Sequence, residues 1–168
     1  MRPISLATIA FAGMLLTATS GFAASGNDPG DDQSVTGHVD IASTLGDVLI
    51  VDTYSFAAIG HKDGRVSGQF ELRARYLDVL IRAHGFVECL FVTGNRARIG
   101  GRVTQSTFEA GLPVGTQLTW SVTDNGEGGN DPRDTASMLL GNDAAAYCTL
   151  GLPYPEFPLR RGNVQVRP

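Results

Sequence analysis

The residues best suited to chemistry lie in one loop, positions 123–134, which is rich in carboxylates and glycines. Hard oxygen donors in this number suit Ca²⁺, which takes six to eight of them. Glycines at three positions would let the backbone fold around an ion. The candidate calcium ligands, in chain order, are Asp124, Asn125, Glu127, Asn130, Asp131 and Asp134. If calcium binds here, Asp124, Glu127 and Asp131 are the predicted metal-binding carboxylates; no other cofactor is suggested.

Two other interpretations of this loop remain open. The spacing of its acidic residues does not follow the EF-hand pattern or the repeat of calcium-binding β-rolls. The simpler interpretation is a solvated loop, in which Asn and Asp side chains cap their own turns and Arg133 pairs with a nearby carboxylate. The third interpretation is a catalytic pair of carboxylates.

Support for catalysis elsewhere is thin. His38, His61 and His84 show no metal-binding spacing, and the chain contains no Gly-x-Ser-x-Gly nucleophile turn. The best acid–base pair is His84 with Glu88, four positions apart. We assign no catalytic residue from the sequence.

The two cysteines predict a disulfide. Cys89 and Cys148 are the only cysteines, and an even count in an exported chain is most simply explained by a bond. A bond across 59 positions stabilises by roughly 4 kcal/mol in the chain-entropy model. It would attach the irregular C-terminal third to the strands.

The elements that must position these residues are short runs in which apolar and polar residues alternate. This pattern indicates antiparallel strands. Helix is favoured over 143–147 and, weakly, over 72–80, which could equally form strand, turn and strand. The proline-rich stretch 153–158 is predicted to lie extended over the sheet and is equally compatible with a partner-binding face. The fold class is therefore all-β: a small antiparallel barrel of about eight short strands, or alternatively a two-sheet sandwich. The predicted strands are 35–41, 48–57, 65–74, 77–84, 86–92, 96–105, 117–123 and 135–140, with a last one near 163–166.

Turn residues and glycines support the barrel. Lys62-Asp63-Gly64 and Gly94-Asn95 predict hairpin turns, because these residues tolerate positive φ. Glycines inside or at the corners of strands, including Gly85 and Gly101, predict bends or bulges.

The N-terminus predicts export. Residues 1–23 begin with Arg2, continue through an apolar run and end in small residues, as in a signal peptide. Residues 24–34 are predicted to form a disordered spacer, and 35–168 a single domain. No later run of apolar residues is long enough for a membrane span. The protein is expected to be secreted or periplasmic.

The charge balance constrains the partners. Residues 24–168 hold 12 basic and 17 acidic residues, because the removed segment contains only Arg2 of the 13 basic ones. A formal charge of −5 disfavours nucleic acid or an anionic membrane, since both attract basic surfaces. A small apolar ligand or a protein partner remains compatible with the sequence.

Several segments together resemble a group of small exported bacterial β-domain proteins. The resemblance covers most of the chain after the signal peptide and implies an exported β domain with this layout of glycines and acidic loop. It supplies no activity or ligand. The segments that carry it are 63–70, 84–89, 94–97, 100–101, 122–128, 131–132 and 161–164.

These observations leave three functional hypotheses. The first is an exported, non-catalytic β domain with a binding or structural role. A possible addition to this hypothesis is that calcium orders the acidic loop. The second is a lipocalin-like carrier of a small apolar ligand, held by aromatic side chains such as Trp120 and Phe56. The third is a small extracytoplasmic hydrolase or isomerase that uses carboxylates with His84.

Overall fold

The computed structural model describes residues 32–45, 48–76, 79–128 and 130–168. Within them the chain forms ten strands and one short helix. The elements are β1 Gln33–Leu45, β2 Val48–Gly60, β3 Val66–Tyr76, β4 Val79–Thr93, β5 Arg96–Ser106, β6 Gln117–Thr123, β7 Thr135–Ser137, β8 Leu140–Gly141, α1 Ala144–Leu150, β9 Glu156–Pro158 and β10 Arg161–Arg167. The predicted signal peptide and residues 24–31 of the predicted spacer lie outside the described residues.

The strands form one strongly curled antiparallel sheet, a half-barrel, in the order β10-β1-β2-β3-β4-β5-β6-β7-β9, with β8 on β6. The prediction of an all-β antiparallel fold with little helix is therefore confirmed. The first five strands are 11 to 15 residues long and so are longer than expected. The last residues of the chain return as β10 to pair with β1, at the start of the domain.

The core lies on the inner face of the curled sheet. Alternate residues of each strand point inward because side chains alternate across a strand. Trp120 is fully buried, and its ring meets those of Tyr54, Phe56 and Phe70 at centroid distances of 6.2, 5.8 and 5.4 Å. These edge-to-face contacts join β2, β3 and β6 across the interior.

Strand β4 is continuous, which corrects the prediction of separate strands over 77–84 and 86–92. The pairing of β4 with β5 shifts register between His84 and Gly85 and again between Val87 and Cys89. These bulges keep Gly85 within a continuous strand, although it was expected to break the strand. A Cβ on Gly85 would lie 2.5 Å from the Phe70 ring, and one on Gly101 would lie 2.8 Å from it. The predicted bulge at Gly85 thus makes room for a core aromatic ring.

The hairpin turns are as expected. Residues 62–64 and 94–95 connect paired strands, and Gly64 and Gly94 adopt positive φ. Strand β1 begins at Gln33, two residues before the predicted start.

The disulfide attaches α1 to the sheet. Cys89 on β4 and Cys148 on α1 are bonded, with a Cα–Cα distance of 6.3 Å, as the sequence predicts. The Asp143 side chain caps the helix by accepting from the amide of Ala146. Gly100 lies under the helix, where a Cβ would come within 2.6 Å of the Ala144 side chain. The absence of a side chain at this position therefore allows the close approach of helix and sheet.

Among the described residues, no helix is both long and apolar enough to cross a membrane.

Candidate functional site

The acidic loop joins β6 to β7 and lies beside β10, the strand that ends the chain. Asp124 follows directly after β6 and exchanges hydrogen bonds with Asn95: its amide donates to the Asn95 carbonyl, and its carbonyl accepts from the Asn95 side chain. These two contacts hold the start of the loop against the turn between β4 and β5.

Two carboxylates of the loop bind the free edge of β10. One edge of β10 pairs with β1, which leaves alternate backbone N–H groups pointing the other way. The amide of Val166 donates to Asp124 Oδ2 at 3.0 Å, and the amide of Val164 donates to Asp134 Oδ2 at 2.8 Å. The two donors, Val164 and Val166, are two residues apart, as expected for N–H groups that point to the same side of a strand. We call these two contacts the carboxylate seam, because side chains stand there in place of a neighbouring strand.

The remaining oxygens of the seam carboxylates stabilise the loop itself. Asp134 Oδ1 accepts from the amide of Asn125 at 2.8 Å, and Asp124 Oδ1 accepts from the amide of Gly126 at 3.0 Å. The Asp134 carbonyl also accepts from Leu159, so this residue joins three segments of the chain. Asp134 is 6% exposed. Its role follows from burial: two backbone donors are satisfied by one desolvated carboxylate.

Glu127 and Asp131 act nearer the surface. Glu127 Oε1 accepts from the side chains of Gln165 and Asn163, at 2.8 and 3.0 Å, and these hydrogen bonds lower the pKa of Glu127. Asp131 accepts from the amide of Gly128 at 2.7 Å. Glu127 is therefore a third contact between the loop and β10, whereas Asp131 braces the loop internally.

The glycine at position 126 is required by this geometry. Gly126 has φ of 97°, and a Cβ there would lie 2.7 Å from Asp131 Oδ2. Gly126 and Gly128 thus allow the Asp131 carboxylate to lie close to the backbone, where the amide of Gly128 donates to it.

The other two predicted ligands contribute differently. The Asn125 side chain donates to the carbonyl of Arg133, and Asn130 is exposed. Arg133 donates to the Leu159 carbonyl, in place of the expected pairing with a carboxylate. In the part of the chain that the structure describes, no group of three or more His, Cys, Asp or Glu side chains is placed to hold a metal ion. The calcium site stays a prediction.

The predicted acid–base pair does not converge. Both residues lie on β4, and four residues of strand separate them by about 13 Å. His84 stands opposite Glu71 and Gln105, whereas Glu88 is bound by Arg102 at 2.6 Å and by Gln117 at 3.0 Å. Burial raises the pKa of Glu88, but the hydrogen bonds from Arg102 and Gln117 outweigh it and leave that pKa lowered. A proton shuttle needs groups within reach of one substrate, and these two residues lack that arrangement.

A half-buried carboxylate that the sequence analysis missed lies on β9. Glu156 Oε1 accepts from Ser121 and contacts Arg96 at 2.8 Å, and Oε2 accepts from Thr123 and Thr135. Burial raises the pKa of Glu156, but the three hydroxyl donors and the Arg96 charge lower it further than burial raises it. The alternation of hydroxyl residues along β6 is the only sequence signal for this cluster.

The Glu156 cluster holds the C-terminal arm on the sheet. Residues 156–158 of the stretch predicted to lie over the sheet form β9, which pairs with β7 as the last strand of the sheet itself. Every oxygen of Glu156 is occupied by donors from the domain. This carboxylate is thus used to stabilise the fold.

A second missed carboxylate faces the core. Asp52 on β2 is 5% exposed and points to the same side as Tyr54, between Ile41 on β1 and Ala74 on β3. Burial raises its pKa to about 6. The sequence does not reveal that Asp52 is buried, because it is a single aspartate in a strand whose apolar and polar residues otherwise alternate normally.

The interior between the aromatic residues is occupied by their own side chains. The rings of Tyr54, Phe56 and Trp120 are mutually within 6.2 Å, and Phe70 is 1% exposed. These contacts give the carrier hypothesis no support, because an apolar ligand would need the space that the rings fill.

Comparison of the chain with protein-family models, with curated proteins and with solved structures finds no match.

Proposed function

We propose that this protein is an exported, non-catalytic β domain with a binding or structural role. The observation that carries the proposal is the carboxylate seam. Asp124 and Asp134, the most chemically suggestive residues of the sequence, are engaged by backbone amides of the sheet edge. Carboxylates used in this way complete a fold and are not free to act on a substrate.

The hydrogen bonds and ion pairs of the other acidic groups support the same conclusion. Glu156 is saturated by hydroxyl donors and Arg96, and Glu88 is paired with Arg102. The three histidines contact different partners: His38 bonds Ser55 at 2.8 Å, His61 bonds Ser67 at 3.0 Å, and His84 lies between Glu71 and Gln105. The histidines and the paired acidic groups are thus dispersed over the part of the domain that the structure describes.

A sealed edge also suits a protein that works outside the cytoplasm. An open strand edge is a template for aggregation, and natural sheets protect it with charges, prolines or covering segments. Here carboxylates occupy the free edge of β10, and Pro158 lies in β9 at the other end of the sheet. The disulfide adds a covalent restraint that is stable in oxidising compartments.

The export clause is tested by expressing the full chain in bacteria and separating cytoplasmic from extracytoplasmic fractions. The proposal expects a disulfide-bonded protein that begins at Ala24, identified by intact mass. Retention of the complete 168-residue chain in the cytoplasm would contradict it.

The calcium clause is tested by melting the exported protein in millimolar calcium and in chelator. A calcium-dependent rise in Tm that Asp131→Asn abolishes would establish the metal site. An unchanged Tm would remove calcium from the proposal and leave the structural role of the loop intact, because its described carboxylates already have hydrogen-bond donors.

A further inference from the structure

Six side chains form a compact patch on the outer face of the sheet, across the middle of β2, β3 and β4. They stand in two rows of directly opposed residues. The first row is Ser55, Glu71 and His84, and the second row is Ala57, Gln69 and Phe86. Side chains in directly opposed positions have Cβ atoms about 5 Å apart. We call these six residues the outer patch.

Small side chains on β2 make the outer patch concave. Ser55 and Ala57 are shorter than the residues opposite them on β3, so the surface dips along β2. The larger hollow lies over Ala57 and Phe86 and has a volume of about 600 Å³, which is within the range of small-ligand sites. A smaller hollow is lined by Ser55 and Glu71, and Glu71 also borders a third one toward β5.

The Phe86 ring is available for a ligand. It is 57% exposed, and among the described residues it has no contact with another ring or with a guanidinium group. Phe91, the other exposed aromatic residue of β4, is covered by the Arg98 guanidinium, which lies 4.3 Å from its centroid. An exposed aromatic ring offers a large apolar area with a defined orientation. The apolar face of a sugar ring fits such a surface.

Neighbouring side chains hold two polar groups of the outer patch in place. Arg73 donates twice to Oε1 of Glu71, at 3.1 and 3.0 Å. Oε2 of Glu71 has no donor within the described ranges, so it can accept a hydrogen bond from a ligand. His38 Nδ1 lies 2.8 Å from Ser55 Oγ and orients that hydroxyl. In the carboxylate seam, by contrast, every carboxylate oxygen has an amide donor. Groups that are oriented in advance lose less entropy on binding.

The charge of the outer patch suits a neutral ligand. Glu71 is its one acidic residue, the patch contains no lysine or arginine, and Arg73 balances the charge of Glu71 from the next position on the same face. Its remaining polar groups, those of Ser55, Gln69 and His84, can both donate and accept hydrogen bonds. Hydroxyl groups of a ligand also do both. Complementarity therefore favours a hydroxyl-rich neutral molecule over an anion or a cation.

A peptide matches this surface poorly. Peptides that bind sheets add a strand at a free edge, where backbone donors and acceptors are unpaired. In the outer patch β3 lies between β2 and β4 and pairs with both across the two rows, so the patch offers side chains only. A sugar needs no backbone partner.

We propose that the outer patch binds a neutral saccharide. This inference rests on the binding role proposed above and names its ligand class. The apolar face of one sugar ring lies on Phe86, and its hydroxyl groups exchange hydrogen bonds with Gln69, Glu71 and His84. The hollow over Ala57 leaves room for the substituents of the ring.

The test titrates the full exported protein with chitotetraose, cellotetraose and maltotetraose, and follows binding by saturation-transfer difference NMR and calorimetry. At least one of these neutral tetrasaccharides should bind, with a Kd that does not change when salt is raised, because the contact involves no charge pairing with the ligand. Phe86→Ala should weaken binding about fivefold, through the loss of the ring surface. Glu71→Gln should weaken it about tenfold, because a hydrogen bond to a charged group is stronger than one to an amide.

Matched control variants test the same chemistry outside the outer patch. Phe91→Ala removes an exposed ring from the same strand, and Asp63→Asn neutralises an exposed carboxylate that is also paired with one arginine. Neither change should alter the Kd.

A melting curve of each variant separates binding from folding. Phe86 and Glu71 are exposed, so their substitution should shift Tm by only a few degrees. The proposal is overturned if none of the three tetrasaccharides binds at millimolar concentration, if binding falls steeply with salt, or if the controls weaken binding as much as the patch variants do. A loss of Tm in Phe86→Ala as large as that of a core substitution also overturns it, because the ring would then serve folding. None of these outcomes affects the export or calcium tests of the proposed function.

Discussion

Removing the Asp134 carboxylate should destabilise the whole domain, although the residue lies in a loop. Its two oxygens satisfy the amides of Asn125 and Val164, and the Val164 contact is buried. In Asp134→Ala both amides lose their partner. An unsatisfied buried donor costs about 1–3 kcal/mol, so the free energy of unfolding should fall by roughly 3 kcal/mol. For a domain of this size that loss lowers Tm by about 10 °C.

Asp134→Asn should have a smaller but related effect. One amide keeps an oxygen acceptor, while the new NH₂ group faces the other backbone N–H. We expect a loss of roughly 2 kcal/mol. The matched control is Asp131→Ala in the same loop, where an exposed carboxylate accepts one amide, that of Gly128; this change should cost less than about 1 kcal/mol.

The assay is urea unfolding of the oxidised protein, followed by the fluorescence of Trp120, which is the only tryptophan and is fully buried. The m-value should stay unchanged if the variants alter stability alone. Equal losses for Asp134→Ala and Asp131→Ala would refute the carboxylate seam, because the larger cost at Asp134 is expected from the amides of Val164 and Asn125 and not from loop charge.

Three further outcomes follow from the packing and the pKa shifts. Replacing Cys89 and Cys148 together by alanine should lower the free energy of unfolding by about 4 kcal/mol, measured by urea titration; no change would mean that the bond does not restrain the unfolded chain. Trp120→Ala should cost roughly 3–5 kcal/mol, because the ring contacts three buried aromatic residues; a thermal melt within a few degrees of the parent would contradict this. Asp52 has a folded pKa of about 6 against an ordinary value of 3.8, so the folded state holds its proton more tightly and the carboxyl destabilises the fold as the pH rises through that range. Asp52→Asn should therefore match the parent in stability near pH 3.5 and exceed it by about 3 kcal/mol at pH 7.5, and a constant difference across this range would disprove the assignment.

The sequence predicts the fold class because strand alternation is a local property. The apolar period of two in β2 and β6, the turn glycines Gly64 and Gly94, and the cysteine pair all appear within short windows or simple counts. The prediction of a strand break at Gly85 was wrong for a physical reason. A glycine also occurs inside a strand where a bulge makes room for a neighbouring ring, and here that ring belongs to Phe70 on another strand.

The candidate site was also predictable from the sequence only in part. The carboxylates of positions 124–134 are visible as a cluster, but the partners of Asp124 and Asp134 are amides 42 and 30 positions away. Nothing local distinguishes a carboxylate that will meet a sheet edge from one that will meet a cation. Glu156 and Asp52 were missed because each is a single acidic residue whose burial depends on which strands cover it.

By itself the sequence determined an antiparallel β protein with one disulfide, since hydrophobic period, turn chemistry and cysteine count act over short distances or require no geometry. Only the tertiary structure decided that the sheet curls until β10 meets the acidic loop, and that Glu71 stands between Ser55 and His84 on its outer face. Both depend on strand register and order, which bring residues distant in sequence within hydrogen-bonding or charge range and are set by packing of the whole core.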